Sequence, residues 1–273
     1  MNQITILRPR SGFQAIDFRG LWEYRELLFT LAGRDIRVRY KQTALGVSWV
    51  ILVPLIAAGI FAFVFGKVAK LDSGGVPYFA FAYAGLMCWN LFTSTLTRAS
   101  DSLVGNGELI TKIYFPRLIL PLSGIPSAFL DFSVAAIIMI IIMFAYGIEP
   151  HIGLLLLPIW LAILAVLATG IGIWSGALAV KYRDIKYIVP VMIQMLLFAS
   201  PIAYASNVVP MEFQTYYYLN PIAGLMDAIR WSIFGTVQLD WWTVGYSATF
   251  GVIVLIVGAI LFRRMEQEFA DVI

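Results

Sequence analysis

Histidine and cysteine are nearly absent from this chain: 273 residues contain one of each, His151 and Cys88. A single cysteine excludes an intramolecular disulfide, and a lone thiol in an apolar stretch reads as a small hydrophobe. His151 sits beside Pro150 in a short loop with no second His or Cys nearby, so it reads as a solvated loop residue and not as a metal ligand. Phosphate-binding chemistry is missing too. The one Gly-Lys pair, Gly66–Lys67, is followed by Val68, so the chain has no G-x-x-x-x-G-K-[ST] loop and cannot hold ATP by that route. No nucleophile elbow, paired histidines or cysteine-rich spacing occurs either. Met1 to Phe18 carry charges but no short apolar core ending in small residues, which argues against a cleaved signal peptide. Charged residues make up 13% of the chain against 60% hydrophobic, and that imbalance decides its class.

The apolar residues gather in six long runs, at 43–66, 77–97, 118–147, 152–180, 187–206 and 242–262. Each has about the 20 residues that a helix rising about 1.5 Å per residue needs to cross roughly 30 Å of hydrocarbon. So much apolar surface does not fit one water-soluble core. The expected fold is an all-α integral membrane protein with six transmembrane helices. Three regions are expected: a cytoplasmic N-terminus at 1–42, a transmembrane domain at 43–262, and a cytoplasmic tail at 263–273.

Loop charge sets the orientation, because cytoplasmic loops retain Lys and Arg. With an even number of spans both termini share a side. That side holds Arg8, Arg10, Arg19, Arg25, Arg34, Arg37, Arg39 and Lys41, then Arg98, Lys112 and Arg117, then Lys181, Arg183 and Lys186, then Arg263 and Arg264. The other side keeps Lys67, Lys70 and Arg230. Both termini are therefore expected in the cytoplasm, and the net charge of +3 reflects membrane orientation and not nucleic-acid binding.

Residues 20–42 read as an amphipathic helix at the membrane surface, with Trp22, Phe29 and Ile36 repeating every seven residues. It serves as a surface anchor or frames a lateral opening for a lipid-linked substrate. In the loop 98–117, Gly105, Asn106 and Gly107 interrupt the preceding helix, and a short helix follows that Pro116 ends. Leu109, Ile110, Ile113 and Tyr114 fall on one face of it, which suits docking into a groove on another protein. The tight loop 181–187 is highly charged. Residues 206–241 are too polar to span and too apolar for a solvated loop, and Pro210, Pro221 and Gly235 cut them into pieces at about 210–219 and 222–234. Re-entrant half-helices fit this pattern, with Leu225, Ile229 and Ile233 as one stripe. Tyr216, Tyr217 and Tyr218 belong to an interfacial aromatic belt or to a substrate gate. Asp131 is the one ionisable residue deep in an apolar run, placed there for hydrogen bonding or to line a cavity.

Four stretches carry a family resemblance: RDIRVRYKQTALGVSWVILVPL at 34–55, GNGELITKIYFPRLILPL at 105–122, YRDIKYIVPVMIQMLLFASPIAY at 182–204, and YYLNPIAGLMDAIR at 217–230. With the six-span plan, the chain resembles the membrane (permease) subunits of ABC-2 type polysaccharide exporters, which move O-antigen, capsule or teichoic-acid polymers. The resemblance implies a homodimer in the bacterial inner membrane, paired with two copies of a cytoplasmic P-loop ATPase. The partner would bind ATP and magnesium, and this chain no cofactor. It further implies a coupling helix that docks on the ATPase at Glu108, Leu109, Ile110, Lys112, Ile113, Tyr114, Phe115 and Pro116, with Arg183 and Asp184 in the second cytoplasmic loop. The implied glycan channel, open laterally between spans one and five, takes Trp49, Asp131, Phe198, Tyr204 and Tyr216 to Tyr218 as candidate lining or gate residues. Two alternatives stay open on sequence: an ABC-2 exporter of a lipid or drug, and an integral-membrane glycan polymerase or transferase.

Overall fold

The computed structural model describes residues 18–41, 48–236, 239–266 and 269, and every regular element among them is helical. The placement of Arg8 and Arg10, the 42–47 join ahead of the first span, and all of the 263–273 tail except 263–266 and 269 lie outside the described residues. Eleven helices follow in chain order among the described residues: α1 (Phe18–Glu23), α2 (Arg25–Lys41), α3 (Ser48–Phe61), α4 (Tyr78–Gly105), α5 (Gly107–Lys112), α6 (Ile119–Tyr146), α7 (Leu157–Lys181), α8 (Ile185–Ala199), α9 (Met211–Tyr217), α10 (Pro221–Phe234) and α11 (Trp241–Glu266). A π-helical turn, Ala62–Val68, extends α3.

Four of these are long and apolar enough to cross a membrane: Ser48–Val68, Ile119–Tyr146, Leu157–Lys181 and Trp241–Met265. The two remaining expected spans differ. Helix α4 runs unbroken to Gly105, so Arg98 lies inside a helix and not in the loop the sequence suggested. It is long enough but carries polar residues through its second half. Helix α8 has 15 residues, about 22 Å at 1.5 Å per residue, and ends at Ala199. Ser200 precedes Pro201, whose ring pushes it to extended backbone at φ −112° and ψ 153°. Asn220 then donates to the carbonyl of Ala199 (3.2 Å) and to Ser200 Oγ (2.8 Å), supplying a partner at that helix end.

Helix α4 is the centre of the bundle, packed by α3, α6, α7, α8 and α10. Glycine lets the backbones approach. A Cβ on Gly172 of α7 would stand 2.5 Å from Ala99 Cβ and 2.8 Å from the Leu96 carbonyl, and one on Gly176 would stand 3.0 Å from the Ala99 carbonyl. On the opposite side of α7, a Cβ on Gly170 would lie 2.7 Å from Leu255 N, and one on Gly258 of α11 2.6 Å from the Gly170 carbonyl. This is the small-residue packing that holds helices together where lipid removes any hydrophobic drive between them.

The short pieces after α8 form as expected, as α9 and α10. Pro221 opens α10, the Asn220 side chain accepts from Ile222 N, and Gly235 at φ 68° ends it. Leu225, Ile229 and Ile233 are all buried, along with most of the rest of α10. The N-terminal amphipathic stretch breaks at Tyr24 into α1 and α2. Its packed residues are Leu31 and Ala32, with Leu27 and Leu28 partly covered, whereas Trp22 and Phe29 of the heptad stripe project outward. His151 is packed and not merely solvated: its Nδ1 accepts from Gly153 N at 3.1 Å and its ring meets Trp231 edge-on at 5.1 Å. Cys88 is fully buried, as a small hydrophobe would be.

The bundle has two distinct ends. A satellite core of Leu31, Leu103, Ile110, Phe115, Val180 and Phe262 gathers α2, α5, the ends of α4, α7 and α11, and the start of α6 at one end. The opposite end holds α9, α10 and the loop around Asp72, whose Oδ2 accepts from Asn207. Gly172→Val is expected to force α4 and α7 apart and cost about 1–3 kcal/mol, the scale of overpacking. A lowered Tm of the detergent-solubilised chain checks it, with Gly245→Ala, which meets nothing within 4 Å, expected to leave the Tm unchanged or raised.

Candidate functional site

Asn90, Thr93, Ser94, Thr97, Arg98, Asp101 and Ser102 recur every three or four residues along α4 and so form one polar stripe. The stripe faces α6 at Ser123, Gly124 and Asp131 across two adjoining cavities of about 840 and 320 Å³. Thr93 and Ser94 line both. The larger cavity is closed by Arg34, Asp35 and Val38 of α2, the smaller by Trp49, Val50, Val53 and Pro54 of α3. Where α4 and α6 cross, Arg98 Nη2 donates to Asp131 Oδ2 at 3.2 Å, with both side chains mostly covered. Gly124 permits the crossing, since a Cβ there would stand 2.7 Å from Arg98 Cβ. At the mouth, Arg34 Nη2 donates to Asp35 Oδ1 (3.0 Å) and to Asn106 Oδ1 (2.8 Å), tying α2 to the junction of α4 and α5. Ionisable groups at such depth face a partner or water, and here they do.

At the opposite end, Arg230 is the largest fully buried side chain among the described residues. It donates to the carbonyls of Ile202 (2.9 Å) and Tyr204 (3.2 Å), and its guanidinium lies 3.8 Å from the Phe81 ring centre. Gly85 makes room for it: a Cβ there would be 2.6 Å from the Ile202 carbonyl. One turn earlier, Asp227 accepts from Ser206 Oγ (2.7 Å) and Tyr218 OH (3.0 Å). Together these two residues fasten the segment after α8 and the end of α9 onto α10.

The loop expected to dock on a partner takes a different form from the sequence expectation. Helix α5 ends at Lys112, four residues before Pro116, and Ile113 is extended at φ −134° and ψ 136°. Phe115, ahead of Pro116, is biased toward extended backbone as well. Ile110 and Phe115 are buried in the satellite core, and between these anchors Ile113 and Tyr114 project at 56% and 75% exposure. Glu108 and Lys112 pair at 3.1 Å on the outer surface, Leu109 is partly covered, and Pro116 is half-buried. Arg183 and Asp184 lie exposed in the turn between α7 and α8.

The candidate channel residues divide between the two ends. Trp49 and Asp131 line the smaller cavity of the groove. Phe198, Tyr204 and Tyr216 to Tyr218 cluster at the α9–α10 end, where Tyr204 OH donates to the Phe198 carbonyl and the Tyr204 and Tyr217 rings lie 6.4 Å apart. Tyr216 and Phe198 point outward, while Tyr218 turns in to Asp227.

The description "ABC-2 type transporter" fits residues 26–234, more than three-quarters of the chain. The chain belongs to the ABC-2 type transporter family. This ABC-2 chain is a membrane subunit and not an enzyme, which removes the glycan polymerase alternative. It is 32% identical over 251 residues to an O-antigen export system permease protein RfbA of Klebsiella pneumoniae, covering 91% of this chain and 95% of that one. A Myxococcus xanthus protein of the same description is 27% identical over 256 residues (93% and 97% of the two chains). The polysialic acid transport protein KpsM of Escherichia coli is 23% identical over 239 residues (86% and 91%).

Sequence reasoning placed Arg98 and Arg230 among loop charges and missed both pairings. The period of the α4 stripe was the available signal, running through Arg98 without a break. Arg98→Ala is expected to remove one of Asp131's partners and to lower stability, by less than the ~3–5 kcal/mol scale of a fully broken buried pair. The double variant Arg98→Ala/Asp131→Ala is expected to lose less, as read by Tm in detergent.

Proposed function

We propose that this ABC-2 subunit exports a lipid-linked polysaccharide of the O-antigen type from the cytoplasm, driven by a separate ATPase. The observation that carries the reading is the full-length similarity, in both directions, to proteins described as O-antigen export permeases. Six crossings complete the path: the four apolar helices, α4 shielded from lipid by its neighbours, and α8 continued by residues 200–206. Helices α9 and α10 then dip back from the outer face as re-entrant pieces, their polar backbone ends covered by protein. The end that carries α2, α5 and the basic loops faces the cytoplasm of a bacterial inner membrane, following the charge bias of the loops.

A homodimer with two ATPase copies suits the apolar surfaces left on α3 and α8, including Val53, Ile56 and Ile60 on one and Met192, Met195 and Phe198 on the other. Ile113 and Tyr114 form the contact to the ATPase, because two buried anchors hold this exposed apolar pair rigidly outside the bundle. ATP-driven closure of the partners would push on the pair and, through Phe115 and Ile110, on the ends of α4 and α6. The nucleotide and its magnesium belong to the partner, and this chain supplies the path.

Ile113→Asp is expected to abolish export and release a stoichiometric P-loop ATPase from the chain purified in mild detergent, while membrane insertion is unchanged. Tyr114→Ala is expected to weaken the same association. Normal export in an Ile113→Asp strain would remove the coupling assignment, and a chain that purifies without any ATPase would remove the exporter reading.

A further inference from the structure

The exposed pair Ile113–Tyr114 is followed at once by three fixed residues. Phe115 is buried in the satellite core, Pro116 has its φ set by its ring, and Arg117 is tied to the end of α11, 149 positions along the chain. Arg117 Nη1 donates to the carbonyl of Glu266 at 2.6 Å. Glu266 is the last residue of α11, where helix carbonyls have no intrahelical donor, and a cation there also meets the negative end of the helix dipole. Three residues further on, Phe269 is 1% exposed in the same satellite core as Ile110 and Phe115. The Arg117 guanidinium lies 5.8 Å from the centre of the Phe269 ring, and the Phe262 ring meets that ring edge-on at 5.5 Å. A residue of the 263–273 tail is therefore part of the core that anchors both sides of the exposed pair.

We infer that the end of α11 braces the ATPase-contacting loop, with Arg117 and Phe269 as positioning residues that hold Ile113 and Tyr114 ready for the partner. An exposed apolar pair that is fixed before docking loses less freedom on binding, so the brace raises affinity without touching the ATPase. Deleting the Phe269 ring removes the aromatic seat of Arg117 and leaves a void in the core that holds Ile110 and Phe115. The inference rests on the reading of Ile113 and Tyr114 as the ATPase contact, and adds to it the residues that set its strength.

The test uses the full chain in lipid nanodiscs, titrated with the P-loop ATPase that copurifies with it. Phe269→Ala and Arg117→Gln are each expected to weaken Kd about two- to tenfold, the scale of ordering a loosened side chain, with the binding plateau unchanged. A partly unfolded chain lowers the plateau and leaves Kd alone, so the two effects separate. Arg117→Gln leaves every apolar anchor in place and carries the test where Phe269→Ala does not fold. Phe269→Leu, which keeps an apolar side chain, is expected to recover part of the affinity, and Leu164→Ala, in the main core, to leave Kd unchanged. A nitroxide on Tyr114→Cys, in the chain without its ATPase, is expected to gain mobility in both brace variants. Cys88 is fully buried and gives little background. Unchanged Kd or unchanged mobility in Arg117→Gln would overturn the brace, as would an equal loss of affinity in Leu164→Ala. If Ile113→Asp leaves Kd unchanged, the contact reading fails whatever the label reports. If it abolishes binding while the brace variants bind as the parent does, only the brace fails.

Discussion

A lipid interior offers a polar group no water and offers two helices no hydrophobic reason to associate, and the placement of α4 meets both conditions. Its apolar and small faces are packed by α3, α6, α7, α8 and α10. Its one polar stripe is turned to a groove instead of to hydrocarbon. Close packing against α7 depends on Gly172 and Gly176, which bring backbone within contact of Leu96, Ala99 and Ser100. Without that approach, the face of α4 at Leu96, Ala99 and Ser100 would lose its close contact with α7.

Around this centre the two ends are built differently. At the α2–α5 end, apolar anchors do the fixing: Ile110 and Phe115 sit in the satellite core and leave Ile113 and Tyr114 exposed between them. At the α9–α10 end, charge does it. Arg230 satisfies carbonyls freed where α8 stops, and Asp227 gathers Ser206 and Tyr218. Packed helices join the two ends, and the segment at the second is held by directed hydrogen bonds.

Much of the architecture was legible beforehand because its signals are local. Proline and glycine at 210, 221 and 235 delimit α9 and α10 in the chain as they do in space, and Gly105, Asn106 and Gly107 do break α4 from α5. The docking helix was read too long because its apolar spacing is compatible with a helix through Tyr114. The backbone instead extends at Ile113, where Phe115 is drawn into the core ahead of Pro116. Trp22 and Phe29 were expected on one helix face, but the chain breaks at Tyr24 and puts them in separate helices, and which residues of α2 are buried depends on α6, far along the chain.

The sequence by itself determined that this chain is a helical membrane protein, where its apolar runs lie, which loops carry positive charge, and which family it resembles. Those properties are set by composition and by spacing along the chain. The tertiary structure decided that Arg98 meets Asp131, that Arg230 is buried against Ile202 and Tyr204, and that Trp49 opens onto a polar groove. Each of these joins residues 26 or more positions apart, and a charge in a sequence carries no mark of whether water or a partner will neutralise it. Only the crossing of helices, fixed by where glycine lets them touch, settles that.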